Sequence, residues 1–412
     1  MLSRVDEGAF ATLALSGELD RSKLASPDRA LATELVYGVL RQRLYLDSAL
    51  AHYAPRGLDK LDRHTRNVLR IAALQILMLR VPAHAAVDDA VEACKKNRTP
   101  KLAGFCNALL RNLATSGMPQ HLPRSARLSA PDWLLAAVDR ALPNKAEADA
   151  FLVAINEPPP LWLRCNRRRG PSHEVQKRLL DERPAAKLVT DPRAPYALSA
   201  VGLGDPSRLR IFTEGFATPQ DLAAQLVVEL ARPKFGERAL DVCAGVGGKS
   251  LDLAERGLVV RAVDQSARKL SLLDDTAHRL GLAEAITMQE RDARTLRADE
   301  YGSGFDVVLV DAPCSGLGVL RRHPEAKWRP LPDISALATL QREILFAAAS
   351  QVQPGGRLVY SVCSFLPQEG DAHVQPFLAA HPDFHERGIQ RTWPHSDGAD
   401  AFFAVALWRG ES

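Results

Sequence analysis

The sequence predicts a multidomain protein with an all-helical N-terminal domain, a small α+β middle module and a C-terminal α/β domain built on a parallel sheet. Three observations predict these domains. The first ~120 residues have apolar side chains at helical spacing, prolines recur in the segment after them, and strand and helix patterns alternate from ~216. A chain of 412 residues can hold several such cores. We place the domains at residues 1–125, 126–215 and 216–412.

The first domain reads as a helical bundle. Residues 30–40 and 65–79 place apolar side chains at i, i+3 and i+4, and Pro82 and Pro100 fall between helical patterns. Residues 1–120 hold 17 Lys/Arg against 12 Asp/Glu, whereas the rest of the chain has a net charge of about −1. A basic module beside a neutral one suits a protein that binds phosphate with one part and does chemistry with the other, although a solvated helical surface has the same charges.

The middle module is marked by prolines and a basic cluster. Pro123, Pro131 and Pro143 punctuate it, and Glu157-Pro-Pro-Pro favours an extended entry into a strand. Arg167-Arg-Arg-Gly follows that strand. We expect short strands and helices here.

The C-terminal domain alternates strands with helices, which predicts a parallel sheet. Ser266 and Asp333 are expected to cap two of the helices, and Gly281 to end the first of them. The predicted strands are residues 239–243, 258–263, 286–290, 305–310, 357–362 and 402–408.

Composition argues against several classes of protein. No run of about 18 uncharged apolar residues predicts a membrane span, and the first residues lack the apolar core of a signal peptide. Six cysteines without a CxxC pair favour a reduced, cytoplasmic protein without disulfides or a bound metal. We expect a monomer that does not associate with membranes.

A glycine loop predicts a cofactor site. Cys243-Ala-Gly-Val-Gly-Gly-Lys-Ser follows a strand and opens a helix, and its glycines (Gly245, Gly247 and Gly248) let backbone N–H groups approach a ligand. Nicotinamide, flavin and S-adenosylmethionine enzymes all use such a loop. The GxxxxGK[ST] spacing is missing, so Lys249 is not a phosphate-loop lysine, and adenosine without phosphates, as in S-adenosylmethionine, is favoured. The predicted cofactor residues in the loop are Cys243, Ala244, Gly245, Val246, Gly247, Gly248 and Lys249.

Three aspartates that end successive strands add to this site. Asp264 is placed to accept the ribose hydroxyls and Asp292 to contact the adenine edge, with Asp311 at the same sheet edge. Each of them could instead cap a helix or turn.

Two cysteines occupy loops that follow strands. Cys314 lies in Asp311-Ala-Pro-Cys-Ser-Gly and Cys363 in Tyr360-Ser-Val-Cys-Ser. Because ligands bind beyond the carboxyl ends of parallel strands, both thiols should face the cofactor crevice. The pattern indicates covalent catalysis on a base, the alternative being two small buried apolar side chains.

These motifs resemble those of the RNA 5-methylcytosine methyltransferases over nearly the whole chain. Gln220-Asp-Leu-Ala-Ala-Gln, Arg321-Arg-His-Pro-Glu-Ala-Lys-Trp and Phe402-Phe-Ala also match family motifs. The first domain resembles a NusB-type RNA-binding domain through Leu35-Val-Tyr-Gly-Val-Leu-Arg, Val81-Pro-Ala-His-Ala-Ala-Val and Asn107-Ala-Leu-Leu-Arg. The resemblance implies a Rossmann-like class I methyltransferase domain and S-adenosyl-L-methionine as cofactor. Gly245-Val246 stands where Ala-Pro is usual, from which we expect weaker or slower cofactor binding.

The resemblance also implies residue roles. Cys363 would be the nucleophile, Cys314 would assist product release, and Asp311 would contact the amino and N3 edge of cytosine. Chemistry alone leaves the thiol roles open, since DNA cytosine methyltransferases use the Pro-Cys thiol as nucleophile. Lys327 is a candidate for lowering the pKa of the attacking thiol. The predicted RNA contacts are Arg321, Arg322, His323, Lys327, Trp328, Arg164 and Asn166, against the alternative of a surface loop with a packed Trp.

The expected function is S-adenosylmethionine-dependent methylation of one cytosine of 16S ribosomal RNA, free or in a small-subunit assembly particle. Two alternatives stay open: a transfer RNA substrate, or a non-catalytic NusB-like RNA-binding assembly factor.

Overall fold

The computed structural model describes residues 1–79, 81–96, 100–298 and 300–411. These residues form two compact units. The helical unit comprises Met1–Pro158 together with Leu320–Pro330, and the sheet unit comprises Pro159–Val319 together with Leu331–Ser412.

The helical unit packs its helices around an apolar core, as the spacing predicts. Asp62 caps one helix by accepting a hydrogen bond from the Thr65 N–H at 3.0 Å. The unit extends to Pro158, past the predicted domain boundary at 125, and includes the three helices that follow Pro123, Pro131 and Pro143. Its helices are Leu2–Asp6, Ala11–Arg21, Ser26–Arg41, Arg43–His52, Arg63–Leu77, Ala83–Lys96, Ala103–Ser116, Arg124–Arg127, Asp132–Ala141 and Lys145–Ala154.

A four-stranded antiparallel sheet opens the sheet unit. Its strands are β1 (Leu161–Cys165), β2 (Lys187–Asp191), β3 (Ala194–Val201) and β4 (Ala217–Pro219), in the order β2-β3-β1-β4. Helix Ser172–Glu182 packs its buried Val175 and Leu179 into the small core beside this sheet. Short helices and short strands thus share residues 126–215, as predicted for the middle module.

A seven-stranded sheet carries the candidate site. Its strands are β5 (Arg238–Asp241), β6 (Val259–Asp264), β7 (Ile286–Glu290), β8 (Phe305–Asp311), β9 (Val352–Val362), β10 (Phe384–Thr392) and β11 (Phe402–Arg409). The order is β10-β11-β9-β8-β5-β6-β7. The five strands from β9 to β7 are parallel to one another, whereas β11 pairs antiparallel with both of its neighbours, β9 and β10. Strand order reverses between β5 and β8, where ligands bind in open α/β sheets.

One strand of the seven-stranded sheet, β10, was not predicted. β10 lies at the edge of the sheet and its sequence, Phe-His-Glu-Arg-Gly-Ile-Gln-Arg-Thr, is largely polar and exposed. An edge strand of this composition lacks the apolar run that marked the central strands.

Helices flank the large sheet and begin at the predicted caps. Ser266 accepts a hydrogen bond from the Lys269 N–H, and Gly281 ends the same helix with φ +72°. The helices of the sheet unit after β3 are Arg210–Thr213, Leu222–Leu230, Gly248–Glu255, Ala267–Leu280, Ile334–Ala349, Val374–Ala380 and Pro394–Asp397. Among all helices of the described residues, none has the length and apolar character needed to cross a membrane.

Candidate active site

The two predicted thiols lie side by side. β8 and β9 are parallel neighbours, so the loops that follow them meet at one sheet edge, and the Sγ atoms of Cys314 and Cys363 are 3.2 Å apart. The Gly318 N–H donates to the Cys363 carbonyl at 2.9 Å, which joins the loops a second time. The hydrogen bond with Cys363 and burial raise the pKa of the Cys314 thiol well above its usual value. Cys314 therefore keeps its proton at neutral pH.

Asp311 ends β8 with both carboxylate oxygens occupied. Oδ1 accepts a hydrogen bond from the Ser361 hydroxyl at 2.9 Å, and Oδ2 accepts one from Lys249 Nζ at 2.5 Å. Lys249 lies in the first turn of the helix after the glycine loop and is nearly buried. The sequence placed Lys249 at the cofactor loop, but this ion pair with Asp311 was not foreseen, since the two residues are 62 positions apart.

The glycine loop has the conformation that its sequence requires. Gly247 has φ +86° immediately before helix Gly248–Glu255, and Gly245 has φ +58°. The Gly245 N–H donates to Asp264 Oδ2 at 2.9 Å, while Oδ1 accepts the Ser266 N–H at 2.9 Å. Asp264 thus shapes the loop and the following turn, so the capping alternative describes part of its role.

A cavity of about 720 Å³ opens at this edge of the sheet. It brings together Cys243, Asp264, Asp292 and Asp311, with Pro313 beside the catalytic candidate Cys314. Its volume is that of a site for a cofactor-sized molecule. Hydrogen bonds from Arg294 lower the pKa of Asp292, and burial raises the pKa of the Cys243 thiol. The carboxylates and the volume fit an adenosine-containing cofactor, while Cys243 is the one residue of the predicted loop Cys243–Lys249 that lines the cavity.

Gly247→Ala should damage the cofactor loop far more than Gly245→Ala. An added Cβ at Gly247 would overlap Leu273 Cδ1, whereas at Gly245 no atom lies within 4 Å. Both variants carry the strain of positive φ, about 1–2 kcal/mol for an L-residue, and Gly247→Ala adds the overlap. Calorimetric titration with S-adenosylmethionine and thermal melts should show the larger loss for Gly247→Ala. Equal losses for the two variants would contradict this account of the loop.

Two predicted RNA contacts are buried inside the sheet unit, which corrects that prediction. Arg164 on β1 is 1% exposed and donates two hydrogen bonds of 2.9 Å to Glu255 and one of 2.7 Å to the Gly248 carbonyl. Asn166 is fully buried and donates to the carbonyls of Gly215 and Leu280. Gly248 and Glu255 are the first and last residues of the helix that follows the glycine loop, so the Arg164 side chain holds both ends of that helix. Glu255 also neutralises the charge of the buried guanidinium.

The segment Leu320–Pro330 belongs to the helical unit, and two of its predicted RNA contacts, Lys327 and Arg321, are buried there, which corrects those two predictions. Lys327 is 1% exposed and donates to the Arg41 and Ser129 carbonyls and to Asn156 Oδ1 at 2.7, 3.0 and 2.6 Å. Trp328 Nε1 donates to the Leu40 carbonyl at 2.7 Å.

A buried polar group whose hydrogen bonds are already made is unavailable to RNA. Because these three oxygens enclose the Lys327 ammonium, Lys327 is no longer a candidate for lowering the pKa of the attacking thiol. Arg321 is also buried. Arg322, His323 and Trp328 are partly exposed and stay predicted RNA contacts.

Lys327→Met should remove a pH dependence of stability. Burial lowers the pKa of this ammonium well below its usual 10.5. Between the lowered pKa and 10.5 the unfolded chain binds the extra proton, so stability should rise with pH in that window, by up to about 1.4 kcal/mol per pH unit. Urea unfolding at a series of pH values from 7 to 10 should show this rise in wild type and in the exposed-lysine control Lys101→Met, but not in Lys327→Met. An unchanged slope in Lys327→Met would contradict a lowered pKa of the buried Lys327 ammonium.

A buried carboxylate beside the thiols was missed by the sequence analysis. Glu369 is fully buried and accepts hydrogen bonds from Ser315 and Ser364, the residues that follow Cys314 and Cys363. The sequence offered one indication of such an acceptor, namely that a serine with a hydroxyl to donate follows the cysteine in each of the two loops. In the described ranges, no group of three or more His, Cys, Asp or Glu side chains is arranged to hold a metal ion.

Comparisons with known proteins cover almost the whole chain. A family model described as 16S rRNA methyltransferase RsmB/F matches residues 228–408, one for the NusB family matches 1–115, and one for the ferredoxin-like domain of RsmF/B-like methyltransferases matches 130–200. Ribosomal RNA small subunit methyltransferase B of Erwinia tasmaniensis is 34% identical, covering 94% of this chain and 92% of that protein. Its namesake in Vibrio cholerae is 36% identical over 92% and 89% of the two chains. The crystal structure of PH0851 superposes with a TM-score of 0.76 at 26% identity, covering 92% of this chain and 90% of that one.

Proposed function

Because the chain belongs to the RsmB/F family of 16S rRNA methyltransferases, we propose that it methylates carbon 5 of one cytosine in small-subunit ribosomal RNA through a covalent adduct with Cys363. The enzyme is an S-adenosylmethionine-dependent RNA cytosine-C5 methyltransferase of that family. The observation that carries the covalent step is the 3.2 Å contact between Cys314 and Cys363, where Cys314 follows Pro313, a residue that lines the cavity.

Cys363 supplies the nucleophile that cytosine needs. Carbon 5 of the ring is too electron-poor to attack a methyl group, and a thiolate that adds at carbon 6 pushes electron density onto it. The target base has to leave its stack to reach the sulfur. S-Adenosylmethionine, when bound, supplies an electrophilic methyl group on a sulfonium. Loss of the carbon 5 proton to a base and cleavage of the bond between carbon 6 and Sγ then release methylated RNA and free thiolate.

Asp311 and Lys249 orient the base. A carboxylate at this place can accept a hydrogen bond from the cytosine amino group and favour a proton on N3 as the thiolate adds. The 2.5 Å contact with Lys249 Nζ and the Ser361 hydroxyl fix the carboxylate at the end of β8.

Cys314 assists the release of the product, when the bond between carbon 6 and the Cys363 sulfur breaks. Its raised pKa keeps a proton on its sulfur, and that thiol lies within hydrogen-bonding distance of Cys363. A thiol so placed can donate to Cys363 as its sulfur leaves carbon 6 with a negative charge. This arrangement supports the roles that the family resemblance implies, with Cys363 as nucleophile and Cys314 in product release.

Methyl transfer to defined RNAs tests the proposal. Small-subunit RNA and assembly particles from a strain lacking this gene are incubated with the protein and labelled S-adenosylmethionine, and the RNA is digested to nucleosides. We expect label in 5-methylcytidine, at one position. Label in transfer RNA alone would show that transfer RNA, and not ribosomal RNA, is the substrate. Cofactor binding without methyl transfer to any RNA would favour a non-catalytic RNA-binding factor.

A further inference from the structure

Glu369 occupies a position between the two cysteine loops. It lies in the turn after β9 and is 0% exposed. Oε1 accepts the Ser315 N–H at 2.7 Å, and Oε2 accepts the hydroxyls of Ser315 and Ser364 at 2.5 Å each. One carboxylate therefore bonds directly to the residue that follows each thiol.

Neutral donors from a third element complete the shell of Glu369. Gln341, fully buried on helix Ile334–Ala349, donates from Nε2 to Glu369 Oε1 at 3.1 Å and to the Pro313 carbonyl at 2.9 Å. His373 Nε2 donates to Gln341 Oε1 at 3.1 Å, which fixes the orientation of the amide. The Tyr360 hydroxyl donates to the backbone carbonyl of Glu369 at 2.6 Å.

A carboxylate is the side chain that can join these donors. Two oxygens offer about four lone-pair directions, which the four hydrogen bonds from Ser315, Ser364 and Gln341 use. Hydrogen bonds to an ionised acceptor are shorter and stronger than neutral ones. An apolar replacement would leave the Ser315 N–H and two hydroxyls without acceptors in a buried place.

We propose that Glu369 is a positioning residue that holds the Cys314 and Cys363 loops together and so maintains the contact between their sulfur atoms. The expected effect of Glu369 on methyl transfer rests on the function proposed above. Its expected effect on the distance between the two sulfur atoms does not depend on that function. Glu369 itself does not contact the reacting atoms. It acts through Ser315 and Ser364, each adjacent in the chain to a cysteine.

Glu369→Gln tests both expected effects. The amide keeps Oε1 as an acceptor but turns an NH₂ group toward the two serine hydroxyls, so the loops should separate. Misplaced reacting groups can lower a rate by about 100-fold, so we expect kcat to fall by that order with the KM for RNA unchanged. The control is Glu386→Gln, at an exposed position on β10, which should keep wild-type values.

Disulfide formation reports the thiol geometry without RNA. Diamide oxidises two neighbouring thiols to a disulfide and is itself reduced to the hydrazide, so the rate of the Cys314–Cys363 bond, mapped on peptides, follows their proximity. We expect at least about a 5-fold slower rate in Glu369→Gln, by the same loss of alignment. Cys94 and Cys106, with sulfur atoms 3.4 Å apart in the helical unit, give an internal reference that should not change.

The two readouts separate the two proposals. A wild-type protein that methylates no RNA, with slower disulfide formation in Glu369→Gln, would remove the proposed function and retain the positioning role. Wild-type kcat and wild-type disulfide rates in Glu369→Gln would overturn the role of Glu369. If the variant does not fold, Ser364→Ala and Ser315→Ala, which each remove a contact and keep the carboxylate, should lower the same two rates, and unchanged rates in both would overturn the proposal.

Discussion

Cys363→Ala should abolish methyl transfer, with kcat lower by at least about 10⁴-fold, as expected when a covalent nucleophile is removed. Cys243 should not take its place, because burial raises the pKa of its thiol. Cofactor binding should persist, since Cys363 does not line the cavity of the glycine loop. Transfer of labelled methyl groups to small-subunit RNA and calorimetric titration with the cofactor measure the two properties.

Cys314→Ala should have a different defect. Without the thiol 3.2 Å from the Cys363 sulfur, the departing thiolate loses its hydrogen-bond donor, so the adduct with RNA should accumulate and survive denaturing electrophoresis. Cys94→Ala, which removes a buried cysteine of the helical unit, is the matched control and should turn over normally. Full turnover in Cys363→Ala, or accumulation of adduct in Cys94→Ala, would contradict these roles.

Arg164→Ala should be the most destabilising single substitution in the sheet unit that we consider. Arg164 and Glu255 are 1% and 0% exposed at the side chain and share two hydrogen bonds of 2.9 Å. Removing one member of a buried pair leaves the other charge unpaired, at about 3–5 kcal/mol. The Gly248 carbonyl loses its donor too, so cofactor affinity should fall together with the free energy of unfolding. Urea unfolding and titration with S-adenosylmethionine measure both.

An exposed pair provides the control for Arg164. Arg193, 44% exposed, pairs with Asp191 and Asp397, and Arg193→Ala should lose no more than about 1 kcal/mol. The double variant Arg164→Met/Glu255→Met should recover part of the loss, because no buried charge remains without a partner. A loss in Arg164→Ala no larger than that in Arg193→Ala would show that the buried pair does not hold the glycine-loop helix.

Local patterns predicted the parts of the fold that local chemistry determines. The strand at Ile286–Glu290, the cap at Ser266 and the left-handed Gly281 follow from the residues themselves. The convergence of Cys314 and Cys363 also followed, because parallel strands end at one edge of a sheet. Their 3.2 Å contact confirms that geometry, while their catalytic roles stay predictions.

Pairings between distant residues could not be predicted in this way. Arg164 and Glu255 are separated by 91 positions, and Ser315 and Glu369 by 54. A basic residue on a strand or in a loop looks the same in sequence whether its partner is RNA or a buried carboxylate. The motif around Lys327 showed a basic, aromatic segment, but its membership of the helical unit depends on packing against residues almost 300 positions away, such as Arg41.

Peptide mapping of the trapped RNA adduct tests the central claim most directly. The Cys314→Ala protein is incubated with S-adenosylmethionine and small-subunit RNA, digested with protease and nuclease, and analysed by mass spectrometry. We predict a 5-methylcytidine mass on the peptide that contains Cys363, and none on the same peptide from Cys363→Ala. An adduct through Cys314 in Cys363→Ala would reverse the roles of the thiols, and methylation without any cysteine adduct would contradict covalent catalysis by this pair.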